Sequence, residues 1–387
     1  MKYIPLVQVC DFQGGSQPPK DQWIDHEKDG YIRMLQIRDF TQPDKDYAEY
    51  VRVSKTIKTC NEDDILIGRY GASVGKILTG LAGAYNVAII KTIPDTSKLS
   101  KRFLYHYLNS PYFQNFILSV GSRAAQAGFN KDDLSDAQIP DLSLEGQSNV
   151  VSQLDKVSEL ITLRKEQLAK LDQLVKSRFV ELFGSIKNNH QRYPVVKIGS
   201  CAKLQGGFAF KSSDYLNDGI RLVQISNVNK DTLDWDSINC VPQAFLQKYK
   251  DFELHVGDLV LAMTRPVIKS LDAVKIATVS ENDVPSLLNQ RVGRFVVDRK
   301  KLHSVYLMVL CQMPEFREYV EAMSGNSLQP NISSKQVEDY SIVLPPLALQ
   351  EQFAAFVQQT DKSKMAIQQS LDKLDFLKKS LMQEYFG

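Results

Sequence analysis

Lys176-Ser177-Arg178-Phe179-Val180-Glu181-Leu182-Phe183-Gly184 returns as Lys379-Ser380-Leu381-Met382-Gln383-Glu384-Tyr385-Phe386-Gly387, identical at five of nine positions. Working back from each copy, other stretches answer one another. Phe12-Gln13-Gly14-Gly15 matches Leu204-Gln205-Gly206-Gly207, and the run from Asp29 to Ile37 matches that from Asp218 to Ile225. Asp64-Ile65-Leu66-Ile67 matches Asp258-Leu259-Val260-Leu261. Pro140-Asp141-Leu142 precedes Glu145-Gly146-Gln147 much as Pro345-Pro346-Leu347 precedes Gln350-Glu351-Gln352. The offset drifts from about 190 to about 205, as loop insertions produce, far beyond the 20–50 residues of a solenoid repeat. The chain is a duplicated half, and duplication predicts pseudo-two-fold symmetry.

Each half ends in one long amphipathic segment. In the first, long or apolar residues recur at alternating spacings of four and three: Val150, Leu154, Val157, Ile161, Arg164, Leu168, Leu171, Val175, Arg178 and Leu182. The second keeps the register with Phe353, Val357, Thr360, Lys364, Ile367, Leu371, Leu374, Lys378, Leu381 and Tyr385. A period of 3.5 is a coiled-coil seam. Neither run contains proline, Gly184 offers a C-cap, and Pro140, Pro345 and Pro346 lie upstream as boundaries. A helix of about 38 residues reaches roughly 57 Å and needs a partner for its seam. Either the two helices pair with each other or each packs on its own domain. The seam polars Arg164, Lys364 and Lys378 either set register or face a further partner.

Composition narrows the class. The 387 residues are 43% hydrophobic and 24% charged, an ordinary globular balance that allows two or three domains. No apolar run is long enough for a membrane span, and Met1-Lys2-Tyr3-Ile4-Pro5 lacks a signal-peptide layout, which points to a cytoplasmic protein with no membrane contact. Cys10, Cys60, Cys201, Cys240 and Cys311 are odd in number and far apart, against a disulfide framework or zinc ribbon, and no metal site is expected. The net charge is +2, so any basic surface must come from arrangement.

Catalytic motifs are poor matches. Gly71-Ala72-Ser73-Val74-Gly75-Lys76-Ile77 has three residues between its glycines and no Ser or Thr after the lysine, unlike a phosphate loop. It reads as a strand-to-strand turn whose Arg69, Ser73 and Lys76 are placed to meet an anion. Asn109-Ser110-Pro111-Tyr112 approaches an adenine-methyltransferase motif, but Ser110 replaces the first proline. The stretch Phe103–Phe116 reads instead as helix, break, helix, with Phe103, Tyr107, Phe113 and Phe116 in a core. Pro94-Asp95 and Pro140-Asp141 open like a nuclease motif without the later residues, and read as turns. No catalytic residue is assigned.

What remains is amide-rich and basic loop chemistry in both halves. The first offers Gln13, Ser16, Gln36, Arg38, Arg69, Ser73, Lys76, Ser122, Arg123, Asn130 and Lys131. The second offers Gln205, Lys211, Gln224, Asn227, Arg265, Lys269, Asn289, Gln290, Arg291, Asn326, Gln329 and Asn331. Arginine pairs with guanine edges, asparagine and glutamine with adenine edges, and cations with phosphates. The neighbouring glycines Gly14-Gly15 and Gly206-Gly207 either let backbone approach a ligand or make turns.

Taken together, the sequence resembles the specificity subunits of type I restriction-modification systems over essentially its whole length. The segments that carry the likeness are Gln205 to Lys211, Gly257 to Pro266, Leu287 to Val292, Gly325 to Ile332 and Leu344 to Gln352, with weaker copies in the first half such as Ile67 to Gly75. The resemblance implies an α+β fold with two similar α/β target-recognition domains, residues 1–145 and 188–348. Two long helices, 146–187 and 349–387, join them and pair as an antiparallel coiled coil in a pseudo-two-fold internal repeat. It implies that each domain reads one half of a bipartite double-stranded DNA site and that the helices set the spacing. Two modification subunits, which hold S-adenosylmethionine and methylate adenine, dock on the helices, and a restriction subunit joins in the cleaving form. This chain itself would be non-catalytic and bind no cofactor. Two readers suit sites about 34–36 Å apart, one DNA turn.

Residues 1–145 hold 17 basic and 18 acidic residues, and 188–348 hold 18 and 17, so weak non-specific DNA binding by the isolated chain is expected. Self-association through the seams is open when partners are missing. The first half departs where Gly121 to Asn130 stands against Gly325 to Asn331. The competing reading is a coiled-coil protein–protein adaptor whose α/β domains do not bind DNA. A self-sufficient modification enzyme lacks its methyl-donor and catalytic motifs.

Overall fold

The computed structural model describes residues 2–42, 48–121, 128–271, 273–325 and 329–387. The chain divides into two compact units: residues 1–166 with 368–387, and residues 167–367.

In the first unit, an antiparallel sheet is built from β1 (Cys10–Gly14), β2 (Leu66–Gly68), β3 (Ile77–Leu78) and β4 (Ile89–Pro94), in the order β1-β4-β2-β3. A second sheet of five short strands contains one parallel pairing, Met34 and Leu35 beside Ala84 and Tyr85. Helices α1 (Lys101–Leu108) and α2 (Pro111–Gly121) cover the first sheet. Ser110 ends one and starts the other: its hydroxyl donates to Tyr107 O at 2.6 Å and accepts from Phe113 N. The Asn109-Ser110-Pro111-Tyr112 stretch is thus a helix junction. Phe103, Tyr107 and Phe113 are fully buried, with Phe116 packed against them. The third helix, α3 (Leu144–Phe183), runs 40 residues, about 60 Å at 1.5 Å per residue.

The second unit repeats this order. Strands β5 (Ala202–Gly206), β6 (Leu259–Ala262), β7 (Ile276–Thr278) and β8 (Val292–Val297) pair as β5-β8-β6-β7. Its other sheet again holds one parallel pairing, Arg221 to Val223 beside Ser286 to Leu288. Helices α4 (Ser304–Cys311) and α5 (Pro314–Ser324) follow, and α6 (Leu347–Phe386) has the same 40 residues as α3. Tyr3–Pro5 corresponds to Val195–Lys197, and Ile89–Pro94 to Val292–Val297, so the offset grows from 192 to 203 and then stays fixed to the end of the long helices. The inserted residues lie before the last strand of the sheet.

The long helices pair antiparallel within each unit. In the first, Val150 and Leu154 near the start of α3 share a core with Met382 and Phe386 at the end of α6, and Tyr385 Oη donates to Gln153 Oε1 at 3.0 Å. In the second, Val175, Phe179 and Phe183 share a core with Phe353 and Val357. Along the seam, Val150, Leu154, Val157, Ile161, Val175, Phe353, Val357 and Leu371 are buried. Leu168, Leu171, Ile367, Leu374 and Leu381 are half-buried. Lys364 is no solvent-facing interruption: its Nζ lies 2.6 Å from Asp172 Oδ1. Burial works against the Asp172 carboxylate, but the hydrogen bond from Lys364 and the charges of Lys364 and Lys230 outweigh it and hold the group below the usual range. Gly184 closes α3 at φ +66, its N–H donating to Val180 O at 2.8 Å.

A second stripe escapes a reading confined to the seam. Phe183 packs edge-on to Tyr306 at 4.9 Å between ring centres, and Phe386 lies 5.3 Å from Phe103. Each long helix therefore ends with an aromatic driven into an α/β core. The five cysteines are free and buried. No helix among the described residues is long and apolar enough to cross a membrane.

Candidate nucleic-acid interface

The second glycine of each pair serves the chain's own backbone. A Cβ on Gly15 would stand 2.0 Å from Asn86 O, and one on Gly207 would stand 2.1 Å from Asn289 O. Gly15 N donates to Ile89 O, and Gly207 N to Val292 O, so the strand is pressed against the same turn in both halves. At Gly15 and Gly207 the close approach is to the chain's own backbone.

Many of the polar candidates also make hydrogen bonds inside the fold. Asn227 is buried, accepts from Gln224 N, and donates to Asp234 O and Ser237 O. Asn289 is buried, donating to Tyr215 Oη and accepting from Gln290 N. Gln205 donates to Asp251 O and accepts from Arg294; Gln224 donates to Tyr215 Oη and accepts from Asn239. Gln13 accepts from Tyr85 Oη. Ser16 donates to Thr56 O and accepts from Lys58 N. Asn227, which donates twice, has no N–H left for a base edge, whereas Gln13, Gln205, Gln224 and Asn289 each keep at least one.

Gln36 and Arg38 converge on Glu49, at 2.6 Å each, with Lys20 on its other oxygen. Burial opposes ionisation of Glu49, but the bonds from Lys20 and Gln36 and the charges of Lys20 and Arg38 prevail and lower its pKa. Asn130 is a cap: its Oδ1 accepts from Asp132 N and Asp133 N. Phe129 N donates to Arg69 O as Ile332 N donates to Met263 O, so Gly128, not Asn130, occupies the place of Asn331, and Asn130 that of the capping Ser333. Lys131 is ion-paired with Asp11. Arg123 and Asn326, with Ser122, lie outside the described residues.

In the first unit, Arg69 Nε donates to Phe129 O at 3.2 Å and Nη1 to Val87 O at 3.4 Å. Its guanidinium stands 5.0 Å from the ring centre of Tyr70, which is exposed. Tyr70 is a surface aromatic that motif reading passed over, although it adjoins Arg69. Ser73 ends the 3-10 turn Gly71–Ser73 and exposed Lys76 follows it, both between β2 and β3 as expected of a strand-to-strand turn.

The second unit brings four of the candidates together. Arg265 follows the end of β6, Arg291 stands before β8, and Gln329 and Asn331 belong to the segment laced to both. Met263 N donates to Arg291 O, Arg265 N to Pro330 O, and Ile332 N to Met263 O. Asn331 Oδ1 accepts from Thr264 Oγ1 and from Arg291 Nη1, the latter at 3.3 Å, while its Nδ2 donates to Gln329 O. Arg265, Arg291, Gln329 and Asn331 are exposed. Lys275 is half-buried here, and burial, with the charge of Arg265, pushes its pKa below the usual value. Lys211, Lys269 and Gln290 are exposed as well.

Two α/β regions of one topology, carrying different side chains at the same turns, now stand beside a family assignment. A sequence model of the type I restriction modification DNA specificity domain matches residues 1–173 and again 191–374. The chain belongs to the type I restriction-modification specificity subunits. The MjaVIII specificity subunit of Methanocaldococcus jannaschii is 24% identical over 371 residues, covering 93% of this chain and 86% of that protein. The EcoAI specificity subunit of Escherichia coli is 27% identical over 187 residues, 48% of this chain and 30% of that one. Among solved structures, a chain from a type I R-M system superposes with a TM-score of 0.60 at 15% identity, covering 100% of this chain and 97% of that one. The S subunit from M. genitalium gives 0.52 at 14%, covering 100% and 96%. At those identities the structures show a shared fold. Specificity subunits are generally non-catalytic.

Proposed function

We propose that each α/β region of this specificity subunit reads one half of a bipartite double-stranded DNA site. On this reading α3 and α6 act as the ruler between the two readings and dock two modification subunits, which bring S-adenosylmethionine and methylate adenine. The chain contributes recognition and no chemistry, and a restriction subunit joins when the system cleaves.

One observation carries this reading. The sheet order and the hydrogen bonds that lace the turns are repeated, yet the side chains at those turns are not. Tyr70, Gly71, Ala88 and Gly128 in the first unit stand where Thr264, Arg265, Arg291 and Asn331 stand in the second. A common frame with different edge chemistry is what two unlike half-sites require. The candidate contacts are the exposed Lys76, Lys211, Arg265, Lys269, Gln290, Arg291, Gln329 and Asn331, with Arg69, Ser73 and Lys131 near the surface.

Co-expression with its modification subunit, followed by methylome sequencing of the host, tests this. One split motif, methylated on adenine in both halves, is the expected result. Unmethylated DNA, from a partner shown active with another specificity subunit, would favour the protein-binding adaptor instead.

A further inference from the structure

Arg265 and Arg291 both have left-handed backbone, φ +48 and +69. Such a conformation is unfavourable for a residue with a Cβ and persists where the surroundings impose it. In the first unit the turn that matches Arg265 uses Gly71, φ +56, which adopts it freely, and the place of Arg291 is held by Ala88 without positive φ. The second unit thus keeps two strained arginines where the shared frame works without them.

The arginines are also aimed outward. Neighbouring Arg294 spends its guanidinium on Glu253 O, Asp251 O, Gln205 and Asp258. Among the described residues, no carboxylate pairs with Arg265, Arg291 or Lys275. Arg291 has one fixed point, the 3.3 Å bond from Nη1 to Asn331 Oδ1, and Asn331 is itself tied to Thr264 and Gln329. A guanidinium held at one nitrogen keeps donors on its other edge, and two parallel donors match guanine O6 and N7 in the major groove, whereas adenine offers a donor in place of O6.

We propose that Arg291, positioned by Asn331, reads a guanine in the half-site taken by the second unit, while Arg265 with Lys275 holds an adjacent phosphate. This rests on the DNA-reading function above. The assembled modification complex is titrated with duplexes in which each base pair of the methylated motif is replaced in turn. The wild type should discriminate against loss of one G·C pair by about 10- to 100-fold. Arg291→Gly, which relieves the left-handed backbone and should melt no lower than wild type, should lose that preference and keep the others. Asn331→Ala should weaken the preference at the same base pair only. Arg265→Gly should weaken all duplexes alike and reduce the salt dependence by about one phosphate contact. An unchanged preference profile in Arg291→Gly overturns the assignment, as does an equal loss on every duplex. A wild-type complex with no base preference at all overturns the DNA-reading function and this assignment with it.

Discussion

Gln147 and Gln350 make the same three hydrogen bonds in their two halves. Gln147 Oε1 accepts from Ser100 N at 2.8 Å, and its Nε2 donates to Lys98 O and Leu142 O at 2.7 and 3.0 Å. Gln350 Oε1 accepts from His303 N at 2.9 Å, and its Nε2 donates to Lys301 O and Pro345 O at 3.0 and 2.8 Å. Each buried amide ties the first turns of a long helix to the loop that enters the first helix of an α/β region.

Replacing either glutamine by leucine leaves three main-chain groups without their partner. Gln147→Leu and Gln350→Leu should each cost about 2–4 kcal/mol, since a buried group left unpaired costs about 1–3 kcal/mol. Gln352→Ala, on the exposed face nearby, should stay within about 0.5 kcal/mol of wild type. Urea unfolding of the three variants measures this. Equal stabilities would remove the clamp from the account.

The glycine pairs make a sharper contrast. Gly15→Ala and Gly207→Ala place a methyl against main-chain oxygens and should each cost about 2–4 kcal/mol. Gly206→Ala meets nothing within 4 Å and should change stability by about 0.5 kcal/mol or less. Thermal melts of the three separate the two cases, and a stable Gly207→Ala protein would contradict the close approach.

The Asp172–Lys364 pair bridges the two long helices where their seam turns polar. Both groups keep partial solvent access, so the net worth is small, about 1 kcal/mol. Asp172→Ala alone should lower stability, whereas Asp172→Leu with Lys364→Met should restore it, because apolar seam residues replace an ion pair well. Denaturant midpoints of the single and double variants decide this; a double variant weaker than both singles would show the pair to be indispensable.

How far the sequence could be read follows from what kind of fact each feature is. The long helices were legible because period 3.5 survives in residue types alone, and the duplication because it is a comparison of the chain with itself. The aromatic stripe of Phe179, Phe183 and Phe386 was present in the matched segments, yet a seam reading assigns one face per helix, and these helices pack on two. The polar candidates pose a different problem. Asn227, Asn289 and Gln205 have the right chemistry for a base edge, but whether an amide is already satisfied depends on loops brought together from elsewhere in the chain. Where Gly121 to Asn130 departs from Gly325 to Asn331, residue types alone give no register, and hydrogen bonding puts Gly128 in the place of Asn331. What marks Arg265 and Arg291 is backbone conformation, which no residue type announces.

His106 gives a pH dependence. It is buried against Asp155, at 2.8 Å, with Arg102 and Lys378 also acting on it. Burial lowers its pKa more than the Asp155 bond and charge raise it, and the charges of Arg102 and Lys378 lower it further. The folded pKa lies below the unfolded value of about 6.5, so the unfolded chain takes up the proton first as pH falls. Stability should be full above that value and decline on acidification through the range below it. His106→Gln should flatten the decline. A wild-type protein that gains stability between pH 7 and 5.5 would mean that His106 is held protonated by Asp155.

The most direct test of the central claim exchanges one reader and leaves the other. Residues 188–348 are replaced by the corresponding region of another specificity subunit, and the host methylome is sequenced with the same modification subunit present. Two independent readers on one frame predict that one half of the methylated motif changes and the other half, with its adenine methylation, stays as it was. A motif altered in both halves, or in neither, would contradict the account.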